Sequence, residues 1–235
     1  MFDNFFRFVR ILLEASVITV EATLAGAAIA VFLAFLAGLT QLSRSRVLRG
    51  VARTYVELFR GSSEVVQLFW FYAALPILVG YTLVPLFAGI LVLGLNLGAY
   101  GAEVVRGAIL SVPREQYEGA TALNMSPGQR MFRVILPQAV VGMLPPFNNL
   151  FIQLLKATSL LYLITVDEIT SVGTRLANNS GQALLVFALI LVFYFILSYI
   201  ITLFMRLLER RANAMIGKAP RGSGLMSRIK PGEAA

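Results

Sequence analysis

The chain has 235 residues, of which 58% are hydrophobic and only 14% are charged, and its formal net charge at pH 7 is +8. Soluble domains carry about 25% charged residues, so this composition excludes an ordinary soluble globule. The apolar content is also far too high for a disordered chain. The sequence therefore predicts an integral membrane protein.

The chain contains no Cys and no His. Disulfides, thiolate catalysis, Cys/His metal sites and Ser–His triads are excluded, and we predict neither a metal nor a cofactor. A membrane-embedded enzyme would need a convergent catalytic set, and the sequence offers none with convincing spacing. Basic residues that border apolar segments set membrane orientation, so the net charge indicates contact with a lipid bilayer and not with nucleic acid.

Residues 1–13 interleave Phe, Val, Ile and Leu with Arg7 and Arg10, without the small-residue cleavage site of a signal peptide. We predict an amphipathic helix at the membrane surface here, with a frayed tail as the alternative. Residues 14–210 then contain five apolar runs long enough to cross a bilayer, so the fold class is an all-α bundle of five transmembrane helices. The predicted spans are Ala22–Leu39 (beginning near Glu14), Val65–Tyr81, Thr82–Ala102, Val134–Leu155 and Ala183–Met205.

Basic residues are distributed unevenly between the segments that flank these spans. Fourteen would lie on one side of the membrane and three, Arg7, Arg10 and Arg175, on the other. Because Lys and Arg are enriched in cytoplasmic segments, the N-terminus is predicted outside and the C-terminus in the cytoplasm. Residues 211–235 are predicted to be a disordered, basic cytoplasmic tail. The fourteen are Arg44, Arg46, Arg49, Arg53, Arg114, Arg130, Arg133, Arg206, Arg210, Arg211, Lys218, Arg221, Arg228 and Lys230.

Residues 111–139, between the third and fourth spans, are too polar to cross a membrane and too long for a tight turn. Tyr117 and Leu123 give the first half the mixed surface of a short helix, which the sequence Ser126-Pro127-Gly128 should end. A second short helix containing Met131 should follow. Such a helix–turn–helix would present a knob to another protein, and a solvated connector is the alternative.

Within this segment, Glu118-Gly119-Ala120, then Asn124, then Ile135-Leu136-Pro137 have the spacing of the EAA loop of bacterial ABC importer permeases, which the segment resembles. Gly119 stands where that family has Ala, and Asn124 where it has Gly. Asn tolerates left-handed backbone better than most residues, so Asn124 is expected to form the turn that Gly would form freely.

Over residues 15–210 the chain is similar to permeases of the polar amino acid family. At the start of the second span that family has R-G-T-P, whereas Ser62, Ser63 and Glu64 follow Gly61 here. The shared motifs are Gly98-Ala99-Tyr100 through Glu103 and Arg106-Gly107, Leu136-Pro137-Gln138-Ala139, Leu144-Pro145-Pro146 with Asn149, Leu155-Lys156 with Thr158-Ser159-Leu160, and Arg60-Gly61 with Val66-Gln67.

This resemblance implies the type I permease fold of ABC importers and a location in the bacterial inner membrane. The loop would dock into a cytoplasmic ATPase, which must be a separate chain because this sequence has no G-x-x-x-x-G-K-S/T phosphate loop. The other implied partners are a second permease, identical or related, and an extracytoplasmic solute-binding protein. The residues expected to couple to the ATPase are Gln116, Glu118, Gly119, Ala120, Leu123, Asn124 and Pro127.

Polar and ionisable residues inside spans are costly in lipid, which makes them candidates for a solute pathway. Structural alternatives stay open: Glu103 would pair with Arg106, Lys156 would reach interfacial water, and the amides would join helices. The Pro145-Pro146 pair would break the fourth span and free backbone groups to line a cavity. The predicted pathway residues are Asn96, Tyr100, Glu103, Asn149, Gln153 and Lys156.

The resemblance leads us to expect an acid next to the position of Asn149 in carriers of basic amino acids, and Leu150 follows it here. An acid-poor, amide-rich set favours a zwitterion, either a polar or neutral amino acid or a compact solute such as ectoine, because residues 122–127, 133–139 and 144–149 also resemble ectoine and hydroxyectoine permeases. The competing function is a self-sufficient secondary transporter. That class would show internal repeats or paired intramembrane acids, which this sequence lacks.

Overall fold

The computed structural model describes residues 2–215, and the side chains of residues 5–214. Every regular element in that range is helical, as the composition predicts. In chain order the helices are α1 (Phe2–Gln41), α2 (Arg46–Gly61), α3 (Glu64–Val79), α4 (Pro85–Leu110), α5 (Arg114–Ala122), α6 (Pro127–Ile164), α7 (Ile169–Ser180) and α8 (Ala183–Met215).

Four of these helices, α1, α4, α6 and α8, are long and apolar enough to cross a membrane. The region of the second predicted span is different: α2 and α3 meet at an angle of 106° and form either one broken span or a re-entrant loop. We call this break the elbow, residues 59–67. The predicted second span, Val65–Tyr81, corresponds to α3, and the sequence did not predict α2, because the charged residues of that helix keep its mean hydropathy low.

Two of the predicted segment boundaries, at residues 13 and 210, fall inside continuous helices. Residues 5–13 belong to α1 without a break. Phe8 and Leu12 are buried against α7 and α8, and this packing stabilises the first turns of the helix. At the other end α8 continues to Met215, past the predicted boundary at residue 210. The rest of the predicted disordered tail, residues 216–235, lies outside the described residues.

Among the described residues the most extensive helix contact is that of the second half of α1 with α4. Glycines make this approach possible. A Cβ atom at Gly94 would lie 2.8 Å from the Ile29 Cβ, and one at Gly98 would lie 2.8 Å from the Leu33 Cβ. Small residues that let backbones approach closely are the usual means of joining helices in a membrane, where burial of apolar surface gives no driving force.

The helices α5 and α7 lie at opposite ends of this bundle. The start of α1 packs with α7 and the start of α8 in one apolar cluster. At the other end, Ile109, Ile135 and Met205 bring the ends of α4 and α8 to the beginning of α6, and Tyr117 of α5 packs against them.

The predicted helix–turn–helix between the third and fourth spans exists only in its first half. Asn124 has φ of +54°, the left-handed turn that was expected of it. Ser126 then caps α6 through a reciprocal pair of hydrogen bonds with Gln129. The expected second short helix is instead the beginning of α6. A π-helical turn, Met131–Ile135, shifts the hydrogen-bond register just before Pro137, so α6 continues past a residue that has no N–H to donate.

Candidate functional site

The helix α5 is held to the bundle by one face. Ala120 is buried, and the Tyr117 hydroxyl donates a 3.0 Å hydrogen bond to the Ile109 carbonyl. Burial raises the pKa of the Tyr117 phenol above its ordinary value. The Arg130 guanidinium donates to the Thr121 hydroxyl at 2.7 Å and lies over the Tyr117 ring. These contacts fix the orientation of α5 relative to α6.

Most of the residues predicted to couple to an ATPase are exposed, on α5, in the turn that follows it and at the first residue of α6. Leu123 is 74% exposed. Ala120 differs from the rest of the predicted set, because its burial makes it an anchor and not a contact residue. The exposed members, which we call the coupling surface, are Gln116, Glu118, Gly119, Leu123, Asn124 and Pro127.

Two buried amides hold the elbow. The Gln67 amide donates to the Phe59 carbonyl at 2.9 Å and to the Ser62 hydroxyl at 2.8 Å. The Asn96 amide, on α4, donates to the same Phe59 carbonyl at 2.9 Å and to the Gln67 side-chain oxygen at 3.2 Å. Asn96 is only 2% exposed. The structure therefore buries this predicted pathway residue at the elbow. Its amide donates to the Phe59 carbonyl, which lies near the end of α2.

Three other predicted residues lie together on one face of α6. Asn149, Gln153 and Lys156 are spaced by about one helical turn each and are all exposed. We call them the α6 stripe. The expected break at Pro145-Pro146 is absent, because α6 continues through both prolines, and both are exposed on the same side. The stripe thus belongs to an unbroken helix. Its side chains are available for contact, whereas no break exposes backbone N–H and C=O groups beside it.

The remaining two predicted residues lie on α4. The Arg60 guanidinium stacks 5.2 Å from the centre of the Tyr100 ring. Glu103 accepts two hydrogen bonds from Arg106, at 2.8 and 3.1 Å. The structure thus shows the ion pair that the sequence left open as an alternative, and it neutralises Glu103 locally.

Sequence reasoning missed Glu64 as a candidate residue. Glu64, the first residue of α3, is half-buried and takes part in none of the ion pairs found among residues 5–214. The sequence shows Glu64 as a departure from the R-G-T-P pattern, but only the fold shows that it lies at the elbow. An acid at the beginning of an apolar run was the available signal.

A second missed residue is Glu168, which is fully buried between α6 and α7. Its carboxylate accepts hydrogen bonds from the backbone N–H groups of Ser171 and Thr170, at 2.7 and 2.8 Å, and from the Tyr194 hydroxyl at 3.0 Å. Burial raises the pKa of Glu168 despite these donors. The acid caps α7 and joins it to α8, so its role is structural. An acid just before a helix was the signal.

Long apolar helices, one bent pair and an exposed polar helical stripe together define a helical membrane permease. The sequence model of the family described as binding-protein-dependent transport system inner membrane component matches residues 28–214. The chain belongs to this family, and is a permease subunit of an ABC importer in the inner membrane. Its partners in such a system include an ATPase and a binding protein, and the chain itself is not the ATPase.

Individual relatives cover most of the chain. It is 44% identical over 197 residues to the probable amino-acid ABC transporter permease protein y4tF of Sinorhizobium fredii (82% of this chain, 83% of the relative). It is 34% identical over 201 residues to the L-cystine transport system permease protein TcyB of Bacillus subtilis (85% and 86%). The glutamine transport system permease protein GlnP of Escherichia coli K12 is also 34% identical, over 202 residues (86% and 92%).

Solved structures agree on the fold. A crystal structure described as an amino acid ABC transporter with histidines superposes with a TM-score of 0.82 at 26% identity, covering 90% of this chain and 98% of that one. An inward-facing structure of the MetNI methionine ABC transporter superposes with a TM-score of 0.75 at 22% identity, covering 86% of this chain and 96% of that one.

Proposed function

We propose that this permease imports a polar amino acid, or an ectoine-like zwitterion of similar size, that an extracytoplasmic binding protein delivers. The α6 stripe carries the proposal. Asn149 and Gln153 offer amide donors and acceptors, and Lys156 offers a cation, at helical spacing on one exposed face of a membrane helix. This chemistry suits a solute with a carboxylate and several polar groups. The names of the relatives support the same class of cargo.

The stripe also supports pairing with a second permease. Polar and charged side chains in membrane helices face a protein interior or a water-filled cavity, and the α6 stripe has no cover from the described residues of its own chain. An identical or related subunit placed against this face would enclose a pathway between the two chains. Tyr100 and Glu103 would then line the wall beside it.

The pathway itself should bind the cargo weakly. Each hydrogen bond to a side chain contributes only about 0.5–1.5 kcal/mol, and the stripe offers three side chains. Selection and high affinity therefore fall to the binding protein, and the permease needs only to be compatible with the solute during passage.

The cargo class can be tested by competition in cells that express the whole transporter. We expect labelled L-glutamine or L-cystine to be taken up only with ATP and the binding protein, and excess polar amino acid or ectoine to compete. Excess arginine, lysine or a sugar should compete poorly. Preferred uptake of one of those three would overturn the proposed class.

The proposed orientation, with the N-terminus outside and the end that carries α5 in the cytoplasm, can be tested with single Cys substitutions because the chain has no native Cys. Ser45 is exposed at that end and should not react with an impermeant maleimide added to intact cells. Ser171, which the sequence offered as the opposite probe, is buried and unsuitable. Asn179, exposed on α7, should react instead. The reverse labelling pattern would contradict the orientation.

A further inference from the structure

The helix α2 runs from one end of the bundle to the middle of a membrane span. It begins at Arg46, a short connection after the end of α1. Further along, the Tyr55 hydroxyl donates a 2.7 Å hydrogen bond to the Leu95 carbonyl. The Phe59 carbonyl then accepts one of 2.9 Å from the Asn96 amide. Both contacts lie near the middle of α4, which has 26 residues and is long enough to cross a bilayer. The elbow therefore lies deep within the membrane-spanning part of the bundle.

Arg60 follows Phe59 and brings a guanidinium group to this depth. Its side chain is exposed, but its position is defined on two sides. The preceding carbonyl, that of Phe59, accepts hydrogen bonds of 2.9 Å from the amides of both Gln67 and Asn96. The guanidinium itself lies 5.2 Å from the centre of the Tyr100 ring, a distance at which the ring attracts a cation. Buried contacts and an aromatic ring thus hold Arg60 in place.

The charge of Arg60 is not balanced by an acid of the described chain, since Arg60 takes part in none of the ion pairs found among residues 5–214. Arg106, one of the other cations near α4, differs in this respect, because its guanidinium lies 2.8 Å from the Glu103 carboxylate. An exposed, unbalanced cation deep in a membrane protein is costly in lipid, so it faces a protein interior or a water-filled pathway. Transporters bind solutes near the bilayer midplane, where helices are broken.

We propose that the Arg60 guanidinium binds the carboxylate of the cargo as the solute passes the elbow. The N–H groups of a guanidinium match the two oxygens of a carboxylate and form two parallel, charge-assisted hydrogen bonds with it. This inference rests on the proposed function and assigns the carboxylate to a residue of α2, a helix outside the predicted pathway set. It also explains why arginine and lysine should compete poorly, because a solute with a net positive charge would meet a fixed cation.

The test uses the complete transporter in proteoliposomes with its ATPase and binding protein, and labelled L-glutamine or L-cystine as probes. Arg60→Gln should lower uptake roughly tenfold, the factor for losing a charge-assisted hydrogen bond. ATP hydrolysis stimulated by the loaded binding protein should be unchanged. Arg60→Lys keeps the charge without the paired N–H groups and should restore part of the uptake.

Arg44→Gln is the matched control, because it removes the same charge from an exposed arginine in the connection between α1 and α2, and its uptake should equal that of the wild type. Unchanged uptake in Arg60→Gln would overturn the inference. So would a parallel fall of uptake and ATP hydrolysis, which indicates a structural role or an ion pair with the second permease. A wild-type transporter that takes up neither probe would instead overturn the proposed function, a result seen before any substitution is made.

Discussion

A Glu118→Lys permease should insert and fold normally, yet solute uptake through the assembled transporter should fall below detection. Glu118 is exposed on the coupling surface and takes part in none of the ion pairs found among residues 5–214. Its reversal therefore costs the isolated chain little. At an interface that complements a carboxylate, a reversed charge costs about 2–5 kcal/mol, which weakens docking by more than about thirtyfold.

Co-purification of the ATPase and uptake of labelled amino acid measure this effect together. Glu57→Lys is a suitable control, because Glu57 is an exposed acid of α2 and does not belong to the coupling surface. It changes the net charge by the same amount. If Glu118→Lys retained both the ATPase and uptake, the coupling surface would not be the docking site.

The coupling surface was largely predictable because its signal is local. The spacing of Glu118, Asn124 and Pro137 predicts a helix and a turn, and the structure contains both, with Asn124 in the left-handed conformation. The end of the motif was predicted less well. The sequence predicted a separate second short helix, whereas a π-helical turn over Met131–Ile135 joins this segment to α6, with Ile135 and Ala139 buried in the bundle.

The α6 stripe was also predictable, since Asn149, Gln153 and Lys156 share one face of any helix that contains them. The sequence could not show which residues of the neighbouring helices each polar side chain would contact. Asn96 is buried by contacts with the elbow, and its side chain meets that of Gln67 from a distant part of the chain. Both contacts depend on the bend between α2 and α3, and periodicity within either helix contains no information about that angle.

The second prediction concerns the α1–α4 contact and compares two glycines of one motif. Gly98→Ala should destabilise the folded permease by about 1–3 kcal/mol, the usual cost of overpacking. The new Cβ would lie 2.8 Å from the Leu33 Cβ and 2.9 Å from the Tyr55 hydroxyl. That hydroxyl donates a 2.7 Å hydrogen bond to the Leu95 carbonyl, so moving Tyr55 aside would break a contact between α2 and α4.

Gly107→Ala, nine residues further along α4, should have the opposite sign. Nothing lies within 4 Å of the position its Cβ would take, and replacing a helical glycine by alanine removes about 0.5–1 kcal/mol of entropic cost. Thermal unfolding of the two purified variants in lipid nanodiscs measures the difference directly. Because both substitutions add the same methyl group to the same helix, equal shifts in the melting temperature would mean that the close approach of α1 to α4 at Gly98 does not exist in the membrane.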